Sequence, residues 1–154
     1  MKAATWFWIG TSLWAQSVQI LPSPPTGSQA GSFRVMLVSP AKSAVAAVQW
    51  RISLPKGVSV EPGKIQPGTA AQRTGKTVHC AAPGIKTNTS SDVVCVLAGG
   101  KQPIPNGAVA VVPFVAANGI SAISIRLRQI LGATPEGKAT AFADVEETIS
   151  LNQP

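Results

Sequence analysis

Residues 79–95, HCAAPGIKTNTSSDVVC, hold the chain's only histidine and both of its cysteines. Three chemistries need those residue types: a thiol nucleophile served by an imidazole, a metal centre, or a disulfide. For the first, the imidazole must reach the sulfur and take its proton. The pattern TVHCA reads as a strand, and neighbours on a strand point to opposite faces, which separates His79 from Cys80. Zinc takes four ligands, commonly at C-x-x-C or H-x-x-x-H spacing, and this stretch offers three at most with no short pair that one ion could use. A disulfide between Cys80 and Cys95 is therefore the expectation. It would close a loop of about 15 residues and stabilise the fold by roughly 3 kcal/mol in the chain-entropy treatment. No metal or cofactor is expected.

Other motifs carry less. GTAAQRTGKT (68–77) resembles a phosphate-binding loop, but the pattern G-x-x-x-x-G-K-[ST] needs glycine where this chain has Ala70. It reads instead as a glycine-containing turn between strands. The acids are Glu61, Asp92, Glu136, Asp144, Glu146 and Glu147. A glycosidase needs two of them facing each other across a sugar, one at raised pKa, and no aromatic wall is at hand to hold the ring. Asp144, Glu146 and Glu147 read as the polar face of the last strand. No EF-hand run occurs, and Asn88-Thr89-Ser90 is an N-x-[ST] sequon marking an exposed loop. None of these patterns makes an enzyme.

The N-terminus sets the compartment. MKAATWFWIGTSLWAQS has one positive charge at Lys2, an uncharged and largely apolar run through Trp14, and a small residue at Ala15. That is the layout of a secretory signal peptide over 1–15. The run is too short to span a bilayer, which takes about 20 apolar residues. Removal of this leader would take away Trp6, Trp8 and Trp14 and lower the net charge from +7 to +6. What remains suits one domain, destined for secretion, the periplasm or the cell surface, where two cysteines pair readily. The remaining Lys and Arg are spread evenly with no basic run and no interleaved aromatics, which argues against nucleic acid as a partner and leaves an anionic glycan or cell-surface polymer open. No membrane span follows the leader.

The elements that must position these residues are strands. After a Pro/Ser/Gly-rich stretch, so that 16–30 reads as a flexible lead-in, the chain alternates with period two. Phe33, Val35 and Leu37 share one side; Val48, Trp50, Ile52 and Leu54 share another, opposite Gln49, Arg51 and Ser53. Ile123, Ile125 and Leu127 lie opposite Ser124, Arg126 and Arg128. Asn106-Gly107 and Asn118-Gly119 bracket the apolar run AVAVVPFVAA, which predicts a strand between two hairpins, with Pro113 marking a bulge or an edge. Short strands between regular turns, with no helical stripe, predict an all-β antiparallel sandwich in one domain over 31–152.

The order of these features resembles the cohesin family. VQWRISLPKGVSVEPGKIQPG is similar to the early strands of cohesin domains, PIPNGAVAVVPFVAA to the later turn and long apolar strand, and ISIRLRQILGATPEGKATAFADVEETISL to the closing hairpin. The resemblance spans about 31–152 and rests on strand pattern and turn placement. It implies a jelly roll of about nine strands, related to a carbohydrate-binding-module superfamily, with a non-catalytic role in holding protein partners, in cellulosomes dockerin modules. Two features depart from the family: its Tyr-Asp-Pro turn is Leu54-Pro55-Lys56-Gly57 here, and the cysteine pair is not general to it. The function expected is an exported attachment module with a dockerin-like or other exported protein as partner, binding through a flat polar face that includes Gln49, Arg51, Arg126 and Arg128. The alternative is a carbohydrate-binding module for a polysaccharide. It meets the difficulty that flat polysaccharide binders display planar aromatics, whereas Trp50 alternates with Val48 and Ile52 and so points inward.

Overall fold

A computed structural model describes residues 16–23, 29–40, 43–84 and 91–151. The leader read over 1–15 and the sequon at 88–90 lie outside them. In chain order the strands are β1 (Ser17–Pro22), β2 (Ala30–Val38), β3 (Ala47–Ser53), β4 (Val58–Val60) and β5 (Gln66–Pro67), then a short helix α1 (Thr69–Arg73). There follow β6 (Thr77–Ala81), β7 (Asp92–Ala98), β8 (Gly107–Ala116), β9 (Ala122–Ala133), β10 (Ala139–Ala141) and β11 (Val145–Ser150). Among the described residues there are thus eleven strand segments where about nine are expected. The excess has a simple origin: β5 is two residues long, and β10 and β11 divide one edge of β9 between them.

Period two becomes two packed sheets. The first has five strands, ordered β1-β2-β8-β4 with β5 also on β8; the second has six, ordered β10-β9-β3-β7-β6 with β11 also on β9. Every pairing is antiparallel. The inward residues of β2 (Phe33, Val35, Leu37) meet those of β3 (Trp50, Ile52) and β9 (Ile125, Leu127), all of them fully buried. Phe33 and Phe114 add a tilted ring pair with centroids 6.4 Å apart, inside the range where aromatic pairs attract. This is an all-β antiparallel sandwich.

Three local expectations fail, each for a physical reason. Within the stretch 16–30, read as a flexible lead-in, Ser17–Pro22 is a strand paired along its whole length with β2, and Val18 and Ile20 are buried in the core. The alternation in SVQIL is as good as elsewhere, and the following Pro/Ser/Gly run obscures it. Neither Asn-Gly pair closes a hairpin. β7 and β9 belong to the six-stranded sheet while β8 belongs to the five-stranded one, so both connections cross from sheet to sheet. Asn106 is used as an acceptor instead, taking the Ser39 backbone N–H at 2.8 Å. Finally, β8 is a central strand and its bulge falls between Ala108 and Ala110, opposite Val35/Met36, not at Pro113. Pro113 sits where β8 exchanges one partner for another, between the pairing of Ala110 and Val111 with β5 and that of Phe114, Val115 and Ala116 with β4. A residue without an N–H is tolerated at such a break.

Candidate binding face

The residues read as possible chemistry separate onto two sides of the six-stranded sheet. Trp50, Cys95 and Cys80 stand in register across β3, β7 and β6. They lie on the inner side, with Trp50 and Cys95 fully buried. A disulfide joins Cys80 to Cys95, whose Cα atoms are 4.1 Å apart. His79 is exposed on the outer side, its Nε2 3.2 Å from Thr77 Oγ1. Imidazole and sulfur therefore occupy opposite faces of one strand. Among the described residues no group of three His, Cys, Asp or Glu side chains is placed to hold a metal ion.

The loop-like segment GTAAQRTGKT turns out to contain α1. Gly68 caps it, and Ala70 and Ala71 are buried. A Cβ at Gly68 would lie 2.3 Å from the Ala108 carbonyl oxygen, so only glycine lets the cap approach the β8 backbone. Lys76, the lysine of the GK pair, is buried, and its Nζ donates to the carbonyls of Gly99 at 2.8 Å and Gly100 at 3.2 Å. Burial pushes its pKa down. This lysine ties the start of β6 to the end of β7 and is turned away from solvent.

The outer side of the six-stranded sheet collects the four residues named as a face. Arg51 stands opposite Arg128, Gln49 opposite Leu131 and Ser53 opposite Arg126, across the β3–β9 pair. Gln49 and Arg126 are exposed; Arg51 and Arg128 are half-buried. Arg51 donates from Nε to Asp92 Oδ1 at 2.8 Å and from a terminal nitrogen to Oδ2. Those bonds hold the Asp92 carboxyl below the ordinary carboxylate value; partial burial opposes them, and the charges of Arg51 and Arg128 reinforce them. Arg126 lies 3.5 Å from Glu146, which also accepts from Ser124 Oγ at 2.7 Å. Arg128 donates from Nε to Ser53 Oγ at 3.2 Å.

Toward the other end of the same strands the face becomes apolar, a feature that alternation alone does not reveal. Leu131 is 47% exposed and Val96 38% exposed, and they flank Gln49 in one row across β9, β3 and β7. With Ala47, Gly132 and Ala133 they line a shallow cleft of about 190 Å³. Strict alternation from Ile123, Ile125 and Leu127 places Leu131 in the core. A bulge at Gln129, which has φ 51°, shifts the phase so that Ile130 points inward and Leu131 outward. Nothing in the local composition announces that extra residue, because glutamine has no special preference for a left-handed backbone.

No protein-family model matches the chain, and no curated protein matches it. Solved structures do. A non-cellulosomal cohesin from the archaeon Archaeoglobus fulgidus is 16% identical, with TM-score 0.65 over 89% of this chain and 92% of that one. The sixth cohesin of Acetivibrio cellulolyticus scaffoldin B, solved with a Cel5 dockerin variant, is 10% identical with TM-score 0.69 over 89% of this chain and 99% of that one. A cohesin module from a Clostridium perfringens family 33 glycoside hydrolase is 10% identical with TM-score 0.68, covering 90% and 98%. The fold of this chain is cohesin-like.

Proposed function

We propose that this cohesin-like sandwich is an exported, non-catalytic module that attaches a protein partner to the outer face of its six-stranded sheet. The observation that carries the reading is the character of that face. It has large exposed aliphatics at Leu131 and Val96 beside Gln49, then a field of charges at Arg51, Arg126 and Arg128. Exposed aliphatics rimmed by polar groups on a flat sheet suit a protein surface. The solved cohesins taken with dockerins support a protein partner of the same general kind. Export is supported by the leader pattern of residues 1–15 and by the Cys80–Cys95 disulfide.

A polysaccharide platform is disfavoured by a specific observation. The aromatics among the described residues, Phe33, Trp50, Phe114 and Phe142, are all buried, which leaves no exposed ring there on which a sugar could stack.

The test is affinity capture of the source organism's exported proteins on immobilised chain, with a Leu131→Lys, Gln49→Glu double variant as control. A protein retained by the wild type and lost by the variant supports the reading. Equal retention by both, or no retained protein, counts against it.

A further inference from the structure

The three guanidinium groups of this face are not equally satisfied, and the difference specifies the partner. Arg51 is bonded to Asp92 and Arg126 is paired with Glu146, so two of the three guanidinium groups have a carboxylate in direct contact. Arg128 makes no direct ion pair among the described residues: it lies in the field of the Asp92 carboxylate, which Arg51 already holds through two bonds. Its Nε donates instead to a neutral hydroxyl, at Ser53. It is half-buried, so its field is less screened than that of a fully solvated charge. One row along the strands lies the apolar cleft between Leu131 and Val96. Gln49 belongs to the cleft row and Arg51 to the Arg128 row, two residue steps apart on β3, a distance of roughly 7 Å.

Resting on the docking reading above, we propose that the partner is an acidic protein segment. It sets one carboxylate on the Arg128 guanidinium and one apolar side chain, about 7 Å away, in the Leu131/Val96 cleft. Guanidinium and carboxylate match in bidentate geometry, and a guanidinium that donates one bond to a neutral hydroxyl keeps further N–H donors for an incoming anion. The apolar half is what favours a protein over a polyanion, since a protein segment can supply a large aliphatic side chain for the Leu131/Val96 cleft and a uronate polymer offers only hydroxylated rings. A second copy of this chain is disfavoured by charge: at +7 overall, two copies repel.

The experiment uses the full chain and three variants, Arg128→Glu, Arg128→Lys and Leu131→Lys, each first checked to melt within a few degrees of wild type. Exported proteins of the source organism are captured on each, and polygalacturonate is tested separately as the polyanion probe. The Arg128→Lys column is treated with a carbodiimide, which joins amines to adjacent carboxylates, and the joined peptides are identified by mass spectrometry. The expected result is a protein lost on Leu131→Lys, bound at least tenfold more weakly by Arg128→Glu, and cross-linked from position 128 to an Asp or Glu. A protein lost on Leu131→Lys but bound equally by Arg128→Glu, with no cross-link from position 128, overturns the acidic assignment and leaves the docking face standing. Capture indifferent to Leu131→Lys, or no capture at all, overturns both. Arg128-dependent binding of polygalacturonate without any captured protein assigns the face to a polyanion instead.

Discussion

Leu131 stands opposite Gln49 and Arg128 opposite Arg51, so three residue steps of β9 are matched to two of β3. The extra residue is Gln129, the one non-glycine residue with positive φ among those described. That single insertion lets an apolar run continue into a strand whose inner side is already filled by Leu127 and Ile130. The surplus leucine goes to the surface, where it forms half of the cleft. A β-bulge of this kind commonly re-aims a side chain at a working surface.

The first prediction concerns that bulge. A non-glycine residue in the left-handed region costs on the order of 1 kcal/mol. Gln129→Gly should therefore leave urea stability unchanged or raise it by up to about 1 kcal/mol. Gln129→Val, β-branched, should lower it by about 1–2 kcal/mol. A valine variant as stable as wild type would mean that the bulge lies elsewhere.

A second prediction concerns the row Trp50–Cys95–Cys80. Replacing both cysteines with alanine should lower stability by about 3 kcal/mol, since the bridge joins residues 15 apart. Disulfides quench nearby indoles by electron transfer, so Trp50 emission should rise on reduction. The measurement needs Trp6, Trp8 and Trp14 replaced by phenylalanine, leaving Trp50 as the sole emitter. Unchanged emission on complete reduction would refute the placement of the ring beside the bridge.

The Arg51–Asp92 pair predicts a pH dependence. Asp92 titrates below its unfolded value because Arg51 stabilises the carboxylate. Its contribution to stability is therefore fully present above the unfolded pKa, about 3.9. It is lost as pH falls from there through the lower folded value. The stability difference between wild type and Asp92→Asn should be constant from neutral pH down to about pH 5 and shrink below about pH 4. It should also be small and weaken with salt, because both side chains are about one-third exposed, at 30% and 35%. A difference that grows with acidity would contradict the assignment.

Two glycines give a contrast within one short segment. At Gly68 a methyl group meets the Ala108 carbonyl oxygen at 2.3 Å, a backbone atom that cannot step aside. Gly68→Ala should cost about 2 kcal/mol or more by displacing α1 from β8. Gly63, in the 3₁₀ turn Pro62–Lys64, has nothing within 4 Å of such a methyl. Gly63→Ala should stay within about 0.5 kcal/mol of wild type. Thermal or urea unfolding of the two variants side by side separates crowding from any general effect of losing a glycine.

Much of this molecule is legible in its local sequence. Alternation along β2, β3 and β9 marks Phe33, Val35, Leu37, Val48, Trp50, Ile52, Ile123, Ile125 and Leu127 as inward, because a pleated strand sends successive side chains to opposite faces and water sorts them. The same rule divides His79 from Cys80 and gathers Gln49, Arg51, Arg126 and Arg128 on outward positions. Such rules act between near neighbours. They do not say which strands pair, and so both Asn-Gly turns read as hairpins when each carries the chain from one sheet to the other. The bulge at Gln129 is hidden for the same reason, since a residue is surplus only relative to a partner strand far away in the chain. Only the assembled sheet shows that Leu131 is exposed, that Val96 faces it across Gln49, and that Arg128 bonds to the Ser53 hydroxyl while Arg51 and Arg126 bond or pair with carboxylates. Local sequence determined what each strand hides; long-range pairing decided what the finished face displays.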